Sequence, residues 1–270
     1  MKVIVLGTAA GGGFPQWNCA CPTCADPALP ARTQDGLAIS ADGDNWYLVN
    51  ASPDIRAQIL ATPELRAGPG VRETPIRGVL LTDAELDHTL GLLLLREADA
   101  LEVYAPPAVL TAVGRFRDIT DRYHAWSWSP VPDKLDGIAV STLAVSNKRP
   151  RYADEPVPGP WVVAYRFEHD GKALVYAPCL ADLPDGFEQF AAGATYVVLD
   201  GTFYSAGEMP GQTVMGHLPV RTTIDRLDGR LVFTHLNNTN PLVDPDSPER
   251  AELAARGHVV PDDGTRWEFS

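Results

Sequence analysis

Four ionisable side chains lie within six residues of one another in the stretch Thr82 to Gly91, which reads T-D-A-E-L-D-H-T-L-G. They are Asp83, Glu85, Asp87 and His88, and each offers an oxygen or nitrogen atom that can bind a metal ion. Turns that follow strands are also rich in aspartate. The residue types alone are therefore equally consistent with a metal site and with a solvated polar loop.

A second group of candidate ligands is the cysteine cluster, Cys19, Cys21 and Cys24, spaced C-x-C-x-x-C. Three thiolates from one short loop suit tetrahedral zinc once a fourth ligand arrives from another segment. A disulfide with one spare thiol is the alternative. Three cysteines this close make a poor disulfide framework, and the fourth cysteine, Cys179, stands alone. The spacing favours a structural zinc site in a reducing compartment.

Periodic apolar segments predict the elements that position these residues. Helices are predicted at 89–97 and 108–116, and a further helix is predicted with Ser52 as its cap and Pro53 at its first position. The glycines at 11–13 follow the first strand in a spacing that favours a tightly packed turn over a nucleotide loop. Strands are predicted at 2–6, 37–41, 46–49, 76–81, 102–104, 137–145, 161–167, 173–176, 195–199 and 230–233.

Three late strands each lead into a loop with reactive side chains. Cys179 follows 173–176, Asp200 follows 195–199, and His235 follows 230–233. In layered α/β proteins, functional groups collect at strand ends, where loops gather on one edge of the scaffold. We therefore expect these three ends and the segment 82–88 to converge on one site. No shift in composition marks a boundary, so one domain spanning 1–270 is predicted.

Composition and charge exclude several classes of protein. The formal net charge of −13, without clustered Lys and Arg, argues against a nucleic-acid partner and favours small-molecule or peptide partners. No apolar run approaches the roughly 20 residues of a membrane span. The N-terminus reads as a first strand rather than a signal peptide, so a cytoplasmic location is expected. No feature of the sequence sets an oligomeric state.

Several sequence motifs resemble those of a known superfamily. The stretch from Thr82 to Gly91 resembles the T-H-x-H-x-D-H-x-x-G signature of the metallo-β-lactamase superfamily, with Asp83 and Glu85 in the places of the two leading histidines. The chain also resembles a branch of that superfamily that acts in pyrroloquinoline quinone (PQQ) biosynthesis. The further motifs that carry this resemblance are G-G-G-F-P-Q-W-N-C-A-C-P-T-C (11–24), L-V-Y-A-P-C-L (174–180), D-G-T-F (200–203), M-G-H-L-P-V (215–220), H-L-N-N-T-N-P (235–241) and D-S-P-E-R (246–250).

The resemblance implies an α/β (α+β) fold, a four-layer αββα sandwich with two mixed β-sheets. It also implies that Asp87, His88 and His235 hold the active-site metal, and that the other metal position of binuclear relatives is lost. Two histidines and one carboxylate favour Fe(II) oxygen chemistry, whereas zinc or manganese hydrolysis is possible with the same ligands. Asp83 and Glu85 are expected to orient the histidines, with Glu85 as a weaker candidate ligand.

Further roles follow from the same resemblance. Asp200 and His217 resemble an acid–histidine pair that moves protons, although His217 could instead be a hydrogen-bonded core histidine. Asn238 stands where related phosphodiesterases complete the cysteine cluster with a histidine, so the fourth zinc ligand is Asn238 or a residue that the sequence does not identify. Cys179 occupies the place of a metal-bridging aspartate and either contacts metal or substrate or is simply buried.

The function that the resemblance implies is an iron-dependent hydroxylase of PQQ biosynthesis. Its substrates would be dioxygen and the tyrosine ring of a Glu-Tyr-derived peptide precursor. We expect this ring to lie beneath the aromatic segment around Trp126, unless that segment simply packs on the surface. The alternatives are a zinc- or manganese-dependent phosphodiesterase or other hydrolase, and a carrier of PQQ or its intermediate.

Overall fold

Two β-sheets lie face to face in a computed structural model of the chain, which describes residues 1–153 and 157–269. The first sheet holds strands in the N-terminal half and the last strand, and the second holds the later strands. The described strands are β1 (Lys2–Gly7), β2 (Gly36–Ser40), β3 (Trp46–Val49), β4 (Ile76–Leu80), β5 (Glu102–Tyr104), β6 (Ser127–Ser129), β7 (Lys134–Leu135), β8 (Ile138–Ser146), β9 (Val162–His169), β10 (Lys172–Ala177), β11 (Tyr196–Asp200), β12 (Leu231–Thr234) and β13 (Arg266–Glu268).

Both sheets are mixed, as predicted. The first has the order β13-β1-β2-β3-β4-β5-β6, in which the pairs from β13 to β3 are antiparallel and those from β3 to β6 are parallel. The second has the order β12-β11-β10-β9-β8-β7, in which β10, β11 and β12 run parallel and the remaining pairs are antiparallel.

Strands β1, β2, β3 and β12 are largely apolar on both faces because both faces are buried. In β1, Val3 and Val5 pack between the two sheets, whereas Ile4 and Leu6 pack in the outer layer over the first sheet. Strands buried on both faces lose the usual alternation of apolar and polar residues. This explains why the sequence shows continuous apolar runs where strands form.

Helices cover the outer faces of both sheets and complete the predicted αββα sandwich. Side chains of α2, α4 and α5 pack over the first sheet, and those of α7, α8 and α9 over the second. None of the described helices is long and apolar enough to cross a membrane. The described helices are α1 (Pro22–Ala25), α2 (Ile55–Ala61), α3 (Leu86–Thr89), α4 (Gly91–Leu94), α5 (Pro107–Ala112), α6 (Gly114–Thr120), α7 (Phe187–Ala191), α8 (Val220–Ile224) and α9 (Pro248–Ala255).

The predicted helix at 89–97 differs from the observed one. The chain turns helical earlier, at Leu86, and breaks at Leu90 into α3 and α4, so that His88 lies inside a helical turn. The break coincides with the backbone N–H of Gly91, which donates to the Ala51 carbonyl at 2.9 Å instead of to a carbonyl of its own helix. A Cβ at this position would lie 2.3 Å from the backbone oxygen of Ser52. The glycine lets this helical segment approach the loop after β3 closely. The predicted helix at 108–116 also divides, into α5 and α6.

The aromatic segment around Trp126 does not cover the site. Trp126 is buried in the outer layer of the first sheet, where its Nε1 donates a hydrogen bond to the Ala98 carbonyl at 3.1 Å. Its ring stacks on Trp128, next to β6 at the edge of the sheet. The expectation that this segment lies over the substrate is wrong, and the surface-packing alternative is correct.

Candidate active site and metal centres

The reactive residues converge at the carboxyl ends of strands from both sheets. Cys179, Asp200 and His235 lie at the ends of β10, β11 and β12, which are neighbours in the second sheet. The segment after β4 brings Asp83 to His88 from the first sheet. The sequence predicted this convergence. Asp83, Asp87, Cys179 and His235 border a cavity of about 550 Å³, and Asp200 and His88 are buried next to these residues.

Asp87, His88 and His235 lie close enough to share one ion. The Oδ2 atom of Asp87 is 3.2 Å from the Nε2 of His235 and 4.0 Å from the Nε2 of His88. The His88 Nε2 is buried and has no hydrogen-bond partner among the described residues. A buried polar atom without a partner costs about 1–3 kcal/mol. A metal ion bound by these three side chains would remove that cost, so the donor set fits a metal site.

Asp83 holds His88 in the orientation that metal binding requires. The Nδ1 of His88 donates to the Oδ2 of Asp83 at 2.8 Å, and Thr82 Oγ1 donates to the same oxygen at 2.7 Å. The backbone N–H of Glu85 donates to the other oxygen at 2.9 Å. Because Nδ1 donates to Asp83, Nε2 is the ring atom left to bind a metal, once the ion displaces its proton. Asp83 thus has the orienting position that was predicted for it.

Glu85 borders the cavity but turns towards a lysine. Its carboxylate lies 3.6 Å from the Lys148 ammonium group, and burial raises the pKa of the carboxyl while Lys148 opposes that shift. Asp87 lies 3.2 Å from His235 and 4.0 Å from His88, whereas Glu85 makes no hydrogen bond or ion pair with either histidine among the described residues. Its role as a weak ligand stays a prediction without support from this geometry.

His235 is held from its other side by Thr202. The Nδ1 of His235 donates to Thr202 Oγ1 at 2.8 Å, and that hydroxyl donates to Asp200 Oδ1 at 2.7 Å. His235 has a positive φ of 58°, which is uncommon and costly for a residue with a side chain. Such backbone conformations persist where the surroundings impose them, and here the conformation accompanies a ring that points at Asp87.

Asp200 and His217 form the predicted pair. His217 Nδ1 donates to Asp200 Oδ2 at 2.7 Å, and the backbone N–H groups of Leu180 and Thr202 donate to the same carboxylate at 2.7 and 2.9 Å. Burial raises the pKa of Asp200, but His217, together with His235 and the Leu180 N–H, lowers it, and the net shift is downward. His217 borders the cavity, and its ring centroid lies 5.3 Å from that of His235. It is therefore a cavity residue rather than a core histidine.

Cys179 also reaches the metal-ligand cluster. Its sulfur and one ring nitrogen each of His88 and His235 lie within 4.8 Å of one another. Burial raises the pKa of the Cys179 thiol well above its ordinary value, and the charge of Asp83 adds to that shift. Of the alternatives for this residue, contact with the site is the one that the structure supports.

The floor of the cavity carries concentrated negative charge. Burial lowers the pKa of His88, but Asp83 and Asp87 more than reverse this effect and raise it to about 10. Burial raises the pKa of Asp87, yet His88 and His235 hold it below its ordinary value. The field that keeps a proton on His88 also attracts a metal cation, which must displace that proton in order to bind.

Sequence reasoning missed Asp35, Thr202 and a group of cations at the cavity. Asp35 is fully buried and accepts hydrogen bonds from Tyr176 and Thr234, and its charge acts on His88 and His235. No motif marks Asp35, because it reaches the site only when the two sheets pack together. Thr202 lies within the D-G-T-F motif, so a closer look at the residue between Gly201 and Phe203 could have found it.

The cysteine cluster forms a separate candidate metal centre. The sulfurs of Cys19, Cys21 and Cys24 lie within 4.8 Å of one another and are not joined by a disulfide. Hydrogen bonding from Thr23, the largest influence, helps lower the pKa of Cys21 to about 6, which favours the thiolate that zinc binds.

The side chain of Asn238 faces these sulfurs. Its amide nitrogen lies 3.3 Å from the Cys19 sulfur and 3.8 Å from the Cys21 sulfur. A half-turn of the amide would present Oδ1 in place of the nitrogen, because the two orientations differ only in which atoms they exchange. The three thiols and Asn238 therefore fit a zinc ion, with Asn238 as the candidate fourth ligand.

Comparison with known proteins identifies the family. Residues 45–235 match the model of the beta-lactamase superfamily domain. The chain is 37% identical to coenzyme PQQ synthesis protein B of Methylorubrum populi and 38% identical to that of an Azoarcus species, and each alignment covers 98% of both chains. A crystal structure of Zn(2+)-bound PqqB from Methylobacterium extorquens matches with a TM-score of 0.91 and 35% identity over the full length of both chains.

A more distant structure shares the fold alone. A diphosphatase of the PhnP family superposes with a TM-score of 0.73 at 19% identity, over all of this chain and 98% of that one. Similarity in fold at this identity carries no information about substrate. The full-length matches at 35–38% identity do establish a family, and the chain belongs to the coenzyme PQQ synthesis protein B family of the beta-lactamase superfamily.

Proposed function

We propose that the protein is an iron-dependent oxygenase of coenzyme PQQ biosynthesis that hydroxylates the tyrosine ring of a Glu-Tyr-derived peptide. The observation that carries the proposal is the donor set of Asp87, His88 and His235 around the unpartnered Nε2 of His88. Two histidines and one carboxylate with open positions are typical of non-haem Fe(II) oxygenases. The zinc in the crystal structure of a family member supports metal binding in the family.

Asp83 supports a site with one metal rather than two. It stands where binuclear relatives have a leading histidine, and its two oxygens are engaged by the ring of His88, the Thr82 hydroxyl and the Glu85 N–H. A carboxylate used in this way orients a ligand and is not free to bind a second ion. A single metal with open positions suits oxygen activation better than the binuclear hydrolysis of diphosphate-type substrates.

The proposed reaction replaces one ring C–H with C–OH. One atom of dioxygen enters the ring, the other leaves as water, and an external reductant supplies two electrons while two protons are taken up. Iron, when bound, supplies the one-electron chemistry through which dioxygen reacts.

The protein's own groups would place the ring and handle its proton. Val162, Phe203 and Met215 give part of the cavity an apolar lining that suits an aromatic ring. Asp200 fixes the Nδ1 proton of His217 and leaves its Nε2 to accept or donate a proton on the cavity side.

The test is hydroxylation under controlled metal loading. Protein purified without oxygen is loaded with Fe(II), Zn(II) or Mn(II) and mixed with Glu-Tyr, a reductant and ¹⁸O₂, and products are weighed by mass spectrometry. We expect one ¹⁸O atom in the tyrosine ring with iron only, and none in the Asp87→Ala variant. Because Asp87 is a proposed ligand, this variant tests whether the reaction occurs at this site.

Other outcomes point to the other functions. Product formation with zinc alone, or label from water instead of dioxygen, would contradict the oxygenase and favour a hydrolase. Hydrolysis of bis(p-nitrophenyl) phosphate by the zinc or manganese form would support the same conclusion. Tight binding of PQQ without turnover of Glu-Tyr under any metal would favour a carrier.

A further inference from the structure

The cavity has basic residues at its edge as well as acidic residues on its floor. Lys148, Arg149 and Arg151 follow β8 and border the same cavity as Asp83 and Asp87. The chain holds 22 Lys and Arg against 35 Asp and Glu, so three cations within four positions run against its overall balance. Such a cluster beside a cavity produces a local positive field that an anionic ligand would meet first.

The three cations differ in how they are held. Lys148 is tied down, because its ammonium group donates to the Met215 carbonyl at 2.5 Å and pairs with Glu85 at 3.6 Å. Arg149 and Arg151 are exposed and make no hydrogen bond or ion pair with any other described residue. Two guanidinium groups at a cavity edge, without described partners, are available to a ligand.

A guanidinium group binds a carboxylate through two parallel hydrogen bonds. The carboxylates of Asp83, Glu85 and Asp87 would repel an anionic group that moved deeper into the cavity. A bound molecule would therefore keep its carboxylates at the edge and send an uncharged portion towards His217 and His235. The charge distribution fits an acidic molecule with an uncharged end, and the apolar lining from Val162, Phe203 and Met215 suits an aromatic ring at that end.

We propose that Arg149 and Arg151, supported by Lys148, form a carboxylate-binding rim that selects an acidic substrate and directs its ring to the metal-ligand cluster. This inference rests on the proposed function for the identity of the ring, but not for the binding step. The residues act on specificity and position, since they contact the substrate away from the reacting atoms. Phosphate groups could use the same guanidinium chemistry, so the test must separate the two anions.

The test measures binding without turnover, using the full chain loaded with zinc. Calorimetric titration compares Glu-Tyr, which has two carboxylates, with Gln-Tyr amide, which has none. We expect Glu-Tyr to bind at least about tenfold more tightly, and the Arg149→Gln/Arg151→Gln double variant to lose most of that preference. The matched control is Arg56→Gln on α2, an exposed arginine away from the cavity, which should bind as the unaltered protein does.

Three results would contradict the proposed carboxylate-binding rim. The first is an equal affinity for Glu-Tyr and Gln-Tyr amide. The second is a preference for Glu-Tyr that the double variant keeps, as would happen if the metal alone bound the carboxylates. The third is inorganic phosphate displacing Glu-Tyr at equal concentration, because the rim would then be a phosphate site. Unchanged zinc content in the double variant shows that its metal sites are still formed.

The rim and the proposed reaction can fail separately. If Glu-Tyr binding depends on both arginines but the iron form does not hydroxylate the ring, the rim stands and the reaction is wrong. If the iron form hydroxylates Glu-Tyr with the same KM in the double variant, the reaction stands and the rim is wrong. A raised KM with little change in kcat is the result that supports both.

Discussion

The two candidate metal centres are built in opposite ways. The histidine–carboxylate cluster takes its residues from the ends of β4, β10, β11 and β12, so it exists only when both sheets have formed and packed. The cysteine cluster takes its three thiols from one loop, between Cys19 and Cys24. The first has open cavity space beside it and the second has a closed donor set. This difference is the one that separates catalytic from structural metal sites.

The cysteine cluster nevertheless reaches the active site through the backbone. Asn238, which touches two of its sulfurs, comes three residues after His235, and Thr23 Oγ1 donates to the Asn238 carbonyl at 3.2 Å. The backbone of the N-terminal loop adds a hydrogen bond from Ala10 to Leu236 at 2.9 Å. A zinc ion bound by the cysteines would therefore brace the segment that begins with His235.

The largest expected effect is that of His235→Ala. This change removes a proposed ligand, so we expect the loss of the active-site metal and a fall in hydroxylation of about a thousandfold or more, equivalent to roughly 4 kcal/mol in the barrier. Metal analysis should show the cysteine-site zinc unchanged. His124→Ala, a change to a surface histidine that pairs with Asp99 at 3.7 Å, is the control and should keep both metals. Loss of both metals in His235→Ala would mean that the two centres are not separate.

Cys21→Ser should produce the converse result. We expect zinc content to fall by about one equivalent, because a site that keeps only two of its three thiolates binds zinc poorly. If the zinc contributes about 2 kcal/mol, Tm should fall by roughly 4–8 °C for a chain of this size.

Trp17→Ala is the matched control for Cys21→Ser, since it changes an exposed side chain of the same loop and keeps all three thiols. It should keep its zinc and stay close to the unaltered Tm. Equal zinc content in Cys21→Ser and the unaltered protein would remove the zinc site. If Cys21→Ser loses hydroxylation activity at a temperature at which it is still folded, the zinc bound by the cysteines stabilises the position of His235.

The sequence allowed the local parts of both centres to be predicted, because each part follows a strand or lies within one short loop. Cys179, Asp200 and His235 come to one edge as expected, since β10, β11 and β12 are parallel neighbours in one sheet. Asp87 and His88 reach His235 from the other sheet. The break at Leu90 was missed because it depends on Gly91 approaching the loop after β3, a contact that apolar periodicity does not encode.

Features that depend on how the layers pack could not be predicted from the sequence. Asp35 is the example, because it becomes a neighbour of His88 and His235 only when the first sheet covers the second. The prediction that the segment around Trp126 covers the substrate was wrong for the same reason, since aromatic composition does not reveal which layer of the fold a segment packs in. The basic rim was also missed, because Lys148, Arg149 and Arg151 resemble an ordinary charged loop until the cavity beside them is seen.

An intermediate effect is expected for Asp83→Asn, which tests how firmly the histidine cluster is held. The asparagine Oδ1 can still accept the hydrogen bond from Nδ1 of His88. The substitution removes the negative charge that raises the pKa of that histidine and strengthens its bond to a metal. We expect the affinity for zinc, measured by competition with a chelator, to fall about 10–100-fold. Asp99→Asn changes the exposed aspartate beside His124 and should leave the affinity unchanged.

The smallest effect is expected for Cys179→Ser. This variant tests whether a sulfur ligand is present only at the cysteine cluster or also at the histidine–carboxylate cluster. Burial, with help from Asp83 and Asp200, raises the pKa of this thiol in the metal-free protein, so a metal ion must displace the thiol proton in order to bind the sulfur. With Asp87, His88 and His235 as the ligands, we expect Cys179 to remain a neighbour of the metal. Zinc affinity at the histidine cluster should then change by no more than about fivefold, against the 10–100-fold loss typical of disrupted metal-site partners. A loss of a hundredfold or more would make Cys179 a ligand. The active site would then hold two histidines, a carboxylate and a thiolate, and the case for an Fe(II) oxygenase would weaken, because thiolate ligation favours zinc.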